Sequence, residues 1–368
     1  MPSTPLGKAR GRALRRSPNG ARPGGPDRKK PLRPPRREAN KLWGVSKQPT
    51  GRNHMDRGRD AGQREDGTGD TPSSAAAGPQ TPARPIDIFR PEAQTAPVVF
   101  ASPHSGRDYA PDFIAQSSLD ATALRRSEDA FVDQLFRHAP DFGAPLIRAN
   151  FPRAYVDANR EAYELDPRMF AGPLPDHVVT RSPRIAAGLG TIARVVANGE
   201  EIYAHPLTFT EARKRIEGTH RPYHRALTGL IDDTRQAFGG CLLVDCHSMP
   251  SNVTGSRSDH PLGDIILGDC HGTAAAPAMT ALAERLLRDL GFSVTRNRPY
   301  AGGYTTRHYG RPRAGVHVLQ IELNRALYLD EATIAPKPEM AGIAARLDDF
   351  MAQLCAGARR LVLPEAAE

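Results

Sequence analysis

From about residue 85 onward, short β-branched apolar runs alternate with longer amphipathic stretches, and that rhythm admits few folds. It is the pattern of a strand, a crossover helix and a second parallel strand, so the folded part is expected to be α/β with a mostly parallel central sheet. The strands are expected at 97–101, 145–149, 241–245, 264–267, 292–295 and 316–323. Leu, Ile, Phe and Ala recur at helical spacing over 119–138, 210–238, 275–290 and 338–355, which are expected to be helices. Asp120 and Ser127 stand near plausible helix starts, and Gly239-Gly240 and Gly291 follow the second and third helices as stop signals. The segment 161–204 interrupts the alternation. Rich in Pro, Gly and Arg, it is expected to be a long irregular insertion, and long loops inside compact enzymes often form part of the site.

The first 86 residues lack the alternation altogether. They carry 19 Lys and Arg against 7 Asp and Glu, so the +9 net charge of the 368-residue chain belongs to them and the remainder is mildly acidic. With scarcely any aliphatic side chains to bury, such a segment does not offset its ordering entropy. A disordered basic tail over 1–86 and a single folded domain over 87–368 are therefore expected. The Arg clusters could bind a polyanion, but neither interleaved aromatic residues nor a folded module accompanies the charge, so a solvated tail is the favoured reading and no specific nucleic-acid partner is expected. Translation from Met55 would be a second plain explanation of the tail. No apolar run approaches the roughly 20 residues that cross a bilayer, and the Arg-rich start lacks the apolar stretch of a secretory signal, so no membrane partner and a cytoplasmic location are expected. Cys241, Cys246, Cys270 and Cys355 show no CxxC spacing and fit reduced, buried thiols.

Three polar groups stand immediately after apolar runs, where an open α/β sheet gathers its ligands at the carboxyl ends of the strands. They are His104 in SPHSG, Asp245 and His247 in LLVDCHS, and Glu322 in LQIELNR. A fourth group, Glu128 and Asp129 in RRSEDAFVDQL, lies within the first helical pattern and can turn a carboxylate toward the same edge. Two imidazoles and one carboxylate are the protein ligands of a catalytic zinc whose fourth position is left to water, and a further carboxylate can take the proton of that acidified water. Each residue alone has a plainer explanation. A histidine after a strand is more often a hydrogen-bonded structural group, Glu128 and Asp129 could be a solvated first-turn pair, and Asp245 could cap a strand end. Joint placement favours the metal site, and RANFPRAYVDANR adds fixed cations to it. In that segment Arg153 and Arg160 flank Asp157 and Asn159. A guanidinium can grip a carboxylate through two parallel hydrogen bonds, whereas Arg153 and Asp157 could also pair structurally across one turn. Arg307 and His308 in AGGYTTRHYG follow a glycine pair that would let a loop approach a ligand closely, unless they mark a surface hairpin tip.

In order, VFASPHSGRDYAP, SEDAFVDQLF, RANFPRAYVDANR, RPYHRAL, LLVDCHS, GGYTTRHYGRP and VLQIELNRALY resemble the N-formylglutamate amidohydrolase family over residues 98–328, and the tail has no counterpart in that resemblance. The resemblance implies a three-layer α/β domain of the zinc carboxypeptidase and aspartoacylase kind with one zinc ion per chain. It implies hydrolysis of a small N-acyl amino acid, N-formylglutamate first, with another acylated amino acid or a cell-wall fragment as the alternative. His104 and His247 would then be metal ligands, with the carboxylate ligand drawn from Glu128 or Asp129 and Asp129 favoured. Glu322 would be the general base. Arg160, with Asn159 beside it, would clamp the substrate carboxylate, Arg153 or Arg307 would stabilise the oxyanion, and Arg307 with His308 would complete the substrate contacts. Two departures bear on the acyl pocket: Cys246 stands where relatives often carry Ala, and the 161–204 insertion has no place in the resemblance.

Overall fold

The structure, a computed structural model, describes residues 84–196, 198–252 and 263–362. The expected basic tail lies outside the described residues except for 84–86, which belong to the fold. One sheet of seven strands organises it: β1 (Ile86–Phe89), β2 (Val98–Ser102), β3 (Leu146–Ala149), β4 (Cys241–Met249), β5 (Ile265–Gly268), β6 (Val294–Arg296) and β7 (Val316–Asn324). Their spatial order is β1-β3-β2-β4-β7-β5-β6. β3, β2, β4 and β7 run parallel, β5 and β6 are parallel to each other but antiparallel to β7, and β1 closes one edge antiparallel to β3.

All six expected strands are present, with two differences. β4 and β7 pair without a break from Cys241↔Val316 to Met249↔Asn324, so the polar residues expected just past the apolar runs stand inside the ladder. Backbone groups need partners whatever their side chains, and hydrogen bonding therefore continues where hydrophobicity stops. The second difference is β1. Ile86 pairs with Ala149, and Arg84 holds Asp87 through an ion pair of 2.8 Å, which moves the start of the folded part ahead of residue 87.

The helices are α1 (Pro111–Gln116), α2 (Ala121–Arg125), α3 (Val132–Leu135), α4 (Pro183–Ala186), α5 (Phe209–Arg215), α6 (Arg221–Phe238), α7 (Pro277–Asp289), α8 (Tyr304–Tyr309) and α9 (Met340–Val362). Thr208 begins α5 with a capping box to Glu211, and a π turn over Ile216–His220 joins it to α6, which buries Tyr223, Leu227, Leu230, Ile231 and Thr234 as one stripe. Gly239 ends α6 in the left-handed region at φ 78°, as the stop signal requires. Side chains alternate across the sheet. Val98, Phe100, Leu242, Val244, Leu319 and Ile321 join the buried faces of α7 and α9, whereas Val99, Ala101, Leu243 and Val318 join that of α6. Both faces are covered and three layers result, each fully buried Leu or Val contributing about 1.5–3 kcal/mol.

The expected helix at 119–138 is not continuous. Asp120 caps α2 by accepting from Ala123 N at 2.8 Å, and the chain then leaves helical geometry until α3. Asp129 N donates to His104 O at 3.0 Å, Ser105 Oγ donates to Asp129 O at 2.9 Å and accepts from Asp133 N at 3.1 Å, and Phe131 turns the chain at φ 66°. These bonds to the loop after β2 replace the helical ladder, so Ser127 starts no helix and Glu128 and Asp129 project from a turn. The 161–204 segment has little regular structure beyond a 3-10 turn at Pro167–Met169 and α4, yet Leu165, Ile192, Val196 and Ile202 are packed into the α6-side core. Among the described residues no helix is long and apolar enough to cross a membrane.

Candidate metal centre and active site

On the α6 side of the sheet the alternation that buries Leu243 and Val318 turns polar two residues later. Asp245 and His247 on β4 and Gln320 and Glu322 on β7 continue the same face, paired in register as Asp245↔Gln320 and His247↔Glu322. His104 arrives from the loop after β2. That loop lies so close to the chain after β3 that a Cβ on Gly106 would stand 2.1 Å from Phe151 O, which accounts for the glycine in SPHSG. Asp129 comes from the turn between α2 and α3.

His104 Nδ1, His247 Nδ1 and Asp129 Oδ2 converge. The separations are 3.2 Å between the two nitrogens, 3.2 Å from His104 to the carboxylate and 3.0 Å from His247 to it. Donors about 2.0–2.1 Å from a tetrahedral zinc are about 3.3 Å from one another, so the three atoms already have the spacing of three ligands around one ion. Each imidazole meets a second carboxylate through its other nitrogen. His104 Nε2 donates to Asp157 Oδ1 at 2.8 Å, and His247 Nε2 stands 2.9 Å from Asp245 Oδ2, off the line of a full hydrogen bond. Carboxylates behind the far nitrogens fix Nδ1 as the coordinating atom and raise its basicity.

The charges agree with a cation at the centre. Burial by itself would raise the Asp129 carboxyl, yet hydrogen bonds from His104 and His247 hold it well below the usual range. Burial disfavours charge on His247 as well, but Asp245 and Asp129 hold its pKa well above the ordinary histidine value. A fully buried cluster that attracts positive charge this strongly suits a divalent ion. Glu322 sits beside it. Burial first, and the Asp129 charge after it, push its pKa up to about 7 against the lowering influence of His247. Gln320 Nε2 occupies Glu322 Oε1 at 2.7 Å.

His104, His247 and Glu322 open onto a cavity of about 480 Å³ that Arg153, Asn159 and Arg160 also line. Arg153 Nε bonds Asp157 Oδ2 at 3.1 Å, the structural pairing considered above, and its Nη1 lies 3.9 Å from Asp129 Oδ1. Arg160 is less free than a dedicated clamp. Its Nε donates to Leu189 O and its Nη1 to Asn159 O, both at 2.8 Å, which leaves Nη2, 3.5 Å from Asp157 Oδ2, as the arm without a hydrogen bond. Asn159 is committed to the scaffold: Oδ1 accepts from Thr305 N at 2.8 Å, and Nδ2 lies 3.2 Å from His247 Nε2.

Glu128 does not join the cluster. Its carboxylate faces away, toward Arg125 at 3.1 Å and the Tyr109 hydroxyl at 2.7 Å, because neighbouring side chains on a turn point to different sides. Arg307 and His308 do not line the cavity either. Both are exposed on α8, which turns Thr305 and Thr306 inward; Arg307 Nη1 bonds Gly302 O at 3.1 Å and the His308 ring stacks on Tyr304. The glycine pair before them does allow a close approach, but to Asn159, whose amide would lie 2.2 Å from a Cβ on Gly303. Sequence reasoning missed Arg184, Tyr300, Gln320 and Arg325, all of which line the cavity. Arg325 and Gln320 had a signal, since they lie within the quoted VLQIELNRALY; Arg184 had none, lying in the insertion without periodicity.

Comparison with known proteins agrees with this geometry. A family model described as N-formylglutamate amidohydrolase matches residues 96–329. N-formylglutamate deformylase of Pseudomonas putida is 31% identical over 241 residues, 64% of this chain and 82% of that protein. The Pseudomonas aeruginosa protein of the same name is 29% identical over 249 residues, 67% and 87% of the two chains. A crystal structure of N-formylglutamate amidohydrolase from Ralstonia eutropha JMP134 superposes with a TM-score of 0.72 at 36% identity, covering 75% of this chain and 99% of the other. With its three-layer sheet and its buried His-Asp-His cluster beside a raised glutamate, the chain belongs to the N-formylglutamate amidohydrolase family and is a hydrolase of linear amides.

Proposed function

We propose that this chain is a zinc-dependent amidohydrolase that cleaves the N-acyl bond of a small amino-acid derivative, N-formylglutamate to glutamate and formate, with one zinc ion per chain. The observation that carries it is the convergence of His104 Nδ1, Asp129 Oδ2 and His247 Nδ1 at ligand spacing, with Glu322 on the neighbouring strand. The names of the Pseudomonas and Ralstonia relatives support the substrate.

Zinc held there by His104, Asp129 and His247 would supply Lewis acidity. Glu322, poised near neutrality, accepts the proton of the attacking water as the water oxygen bonds to the acyl carbon. It returns the proton to the amide nitrogen as the C–N bond breaks, so formate and the free amine leave together. Gln320 holds one Glu322 oxygen, which orients the other for this transfer. Arg153, fixed by Asp157 and adjacent to Asp129 and Glu322, stabilises charge that develops on the acyl oxygen. The Nη2 of Arg160, which makes no hydrogen bond, takes the carboxylate next to the scissile bond, and the Asn159 backbone carbonyl holds Arg160 through Nη1.

The test is elemental analysis of the purified protein together with assays of formate and glutamate released from N-formylglutamate. About one zinc per chain and equal release of the two products are expected. No hydrolysis by zinc-loaded protein would overturn the substrate, and full activity after exhaustive chelation would overturn the metal.

A further inference from the structure

Among the described residues four arginines line the cavity, and three of them already face a carboxylate. Arg153 and Arg160 share Asp157 at 3.1 and 3.5 Å, and Arg325 Nη2 lies 3.0 Å from Asp129 Oδ1. Arg184 is different. Among the described residues no carboxylate lies within ion-pair distance of its guanidinium and no acceptor takes its hydrogen bonds. Burial first, then Arg160 and Arg307, lower its pKa to about 10, and the more distant Glu164 and Asp157 only partly offset them.

Its position is built. Ser182 caps α4 by accepting from Ile185 N at 3.1 Å and also bonds Glu164, while Leu189 O, beyond the helix, receives Arg160 Nε. The backbone that carries Arg184 is thus tied to the arginine nearest it. Arg153 reaches Asp129 and Asp157, Arg160 reaches Asp157 and Arg325 reaches Asp129, whereas Arg184 lines the same cavity and pairs with neither carboxylate, which sets it apart from the His-Asp-His cluster.

We propose that Arg184 selects dicarboxylic substrates, its guanidinium taking the side-chain carboxylate of the acylated amino acid while the α-carboxylate stays with Arg160. The proposal rests on the reading of the site as an N-acyl amino-acid hydrolase. The α-carboxylate is attached one carbon from the amide nitrogen and must lie close to the reacting bond, whereas a γ-carboxylate lies farther along the chain and needs a second cation farther out. A planar guanidinium with no prior partner offers both parallel hydrogen bonds to it. Hydrogen bonds to a charged group contribute enough to discriminate by about 10- to 100-fold.

The experiment measures kcat and KM of wild type, Arg184→Gln and Arg184→Lys on N-formylglutamate and on its neutral isostere N-formylglutamine, with zinc supplied. In Arg184→Gln the preference for the glutamate compound should fall about 10- to 100-fold, through KM, and Arg184→Lys should keep part of it because the charge remains but the fork does not. Glutarate should raise the melting temperature of the wild type more than that of Arg184→Gln, which reads the binding without turnover. A preference within about twofold of wild type in Arg184→Gln, or equal losses on both substrates, overturns the assignment and leaves the function standing. Failure of the wild type to hydrolyse either compound overturns the function and takes the assignment with it.

Discussion

Replacing His220 and His224 together by Gln should change how this protein responds to acid more than how stable it is near neutrality. The two rings stand 4.3 Å apart across the junction of the π turn and α6. His220 Nε2 donates to Arg160 O at 2.9 Å and His224 Nε2 donates to Ala158 O at 2.8 Å, so both hold the segment that carries Asp157, Asn159 and Arg160. Neither has a favourable place for a second proton. His220 Nδ1 is buried without a partner, and His224 Nδ1 accepts from the Tyr309 hydroxyl at 2.9 Å. Burial above all lowers the two pKa values to about 4 and about 3, and the charge of His220 adds to the lowering of His224. The unfolded chain, with histidines near 6.5, therefore binds protons that the folded chain refuses. Their contribution to stability is complete above about 6.5 and is lost as pH falls toward the folded values. At about pH 5 the loss is about 2 kcal/mol for each ring and about 4 kcal/mol for the pair. For a domain of this size that is about 10 °C in melting temperature. Thermal melts of both proteins between about pH 8 and pH 5, with chelator throughout, provide the measurement. The variant should melt within a few degrees of the wild type near pH 8, lose about 10 °C less on acidification, and melt above the wild type near pH 5. Parallel curves for the two proteins would refute the reasoning.

Glu322→Gln should lower turnover by about 100-fold or more while the zinc content per chain stays unchanged, because the side chain moves a proton and is not a ligand; metal loss in elemental analysis would contradict that division of labour. Asp245→Asn should weaken zinc binding by about 10- to 100-fold in a chelator competition, since the carboxylate stands behind His247, and an unaltered affinity would count against it. The rate itself should carry an acid limb. Glu322 must be unprotonated to accept a proton, and burial foremost raises its pKa to about 7, so kcat/KM should fall as pH drops through a midpoint at or below that value, a bound cation moving it lower. A profile with no acid limb down to about pH 4.5 would remove Glu322 as the base.

Which parts were legible in the sequence follows from how each part is held. β2, β4 and β7 are covered on both faces, and a strand so placed must be apolar almost throughout, so each announced itself as a run. His104, His247 and Glu322 were legible because those runs turn polar at one end of the sheet, where polar side chains need a purpose. β1 is a half-exposed edge strand next to a polar tail and offers only Ile-Asp-Ile-Phe. The stretch 119–138 has helical spacing and still breaks, because the bonds between Asp129, Ser105 and Asp133 are made to a distant loop and have no local signature. Arg307 and His308 look like ligand contacts beside their glycine pair, but which side of α8 faces the cavity is set by Thr305 and Thr306 packing inward. Arg184 is the opposite case. Nothing around it in sequence is periodic, and only the packing of the insertion against the α6-side core brings it to the cavity.

The charges around the cavity connect the metal to the substrate class. Among the described residues Asp129, Asp157, Asp245 and Glu322 stand with Arg153, Arg160 and Arg325, and Arg184 adds a fourth guanidinium that no carboxylate meets. With Glu322 unprotonated these groups balance formally, so a divalent cation at the His-Asp-His cluster would leave two positive charges in a site with buried walls. A substrate with one carboxylate would leave one of them uncompensated, whereas an N-acyl dicarboxylic acid neutralises both. Asp129 would serve the metal and is held by Arg325, so the surplus would fall on Arg160 and Arg184. The proposed chemistry thus gathers His247 and Glu322 from neighbouring strands and His104 and Asp129 from the turns beside them, whereas the proposed choice of substrate falls to Arg160 and to Arg184 in the irregular 161–204 segment.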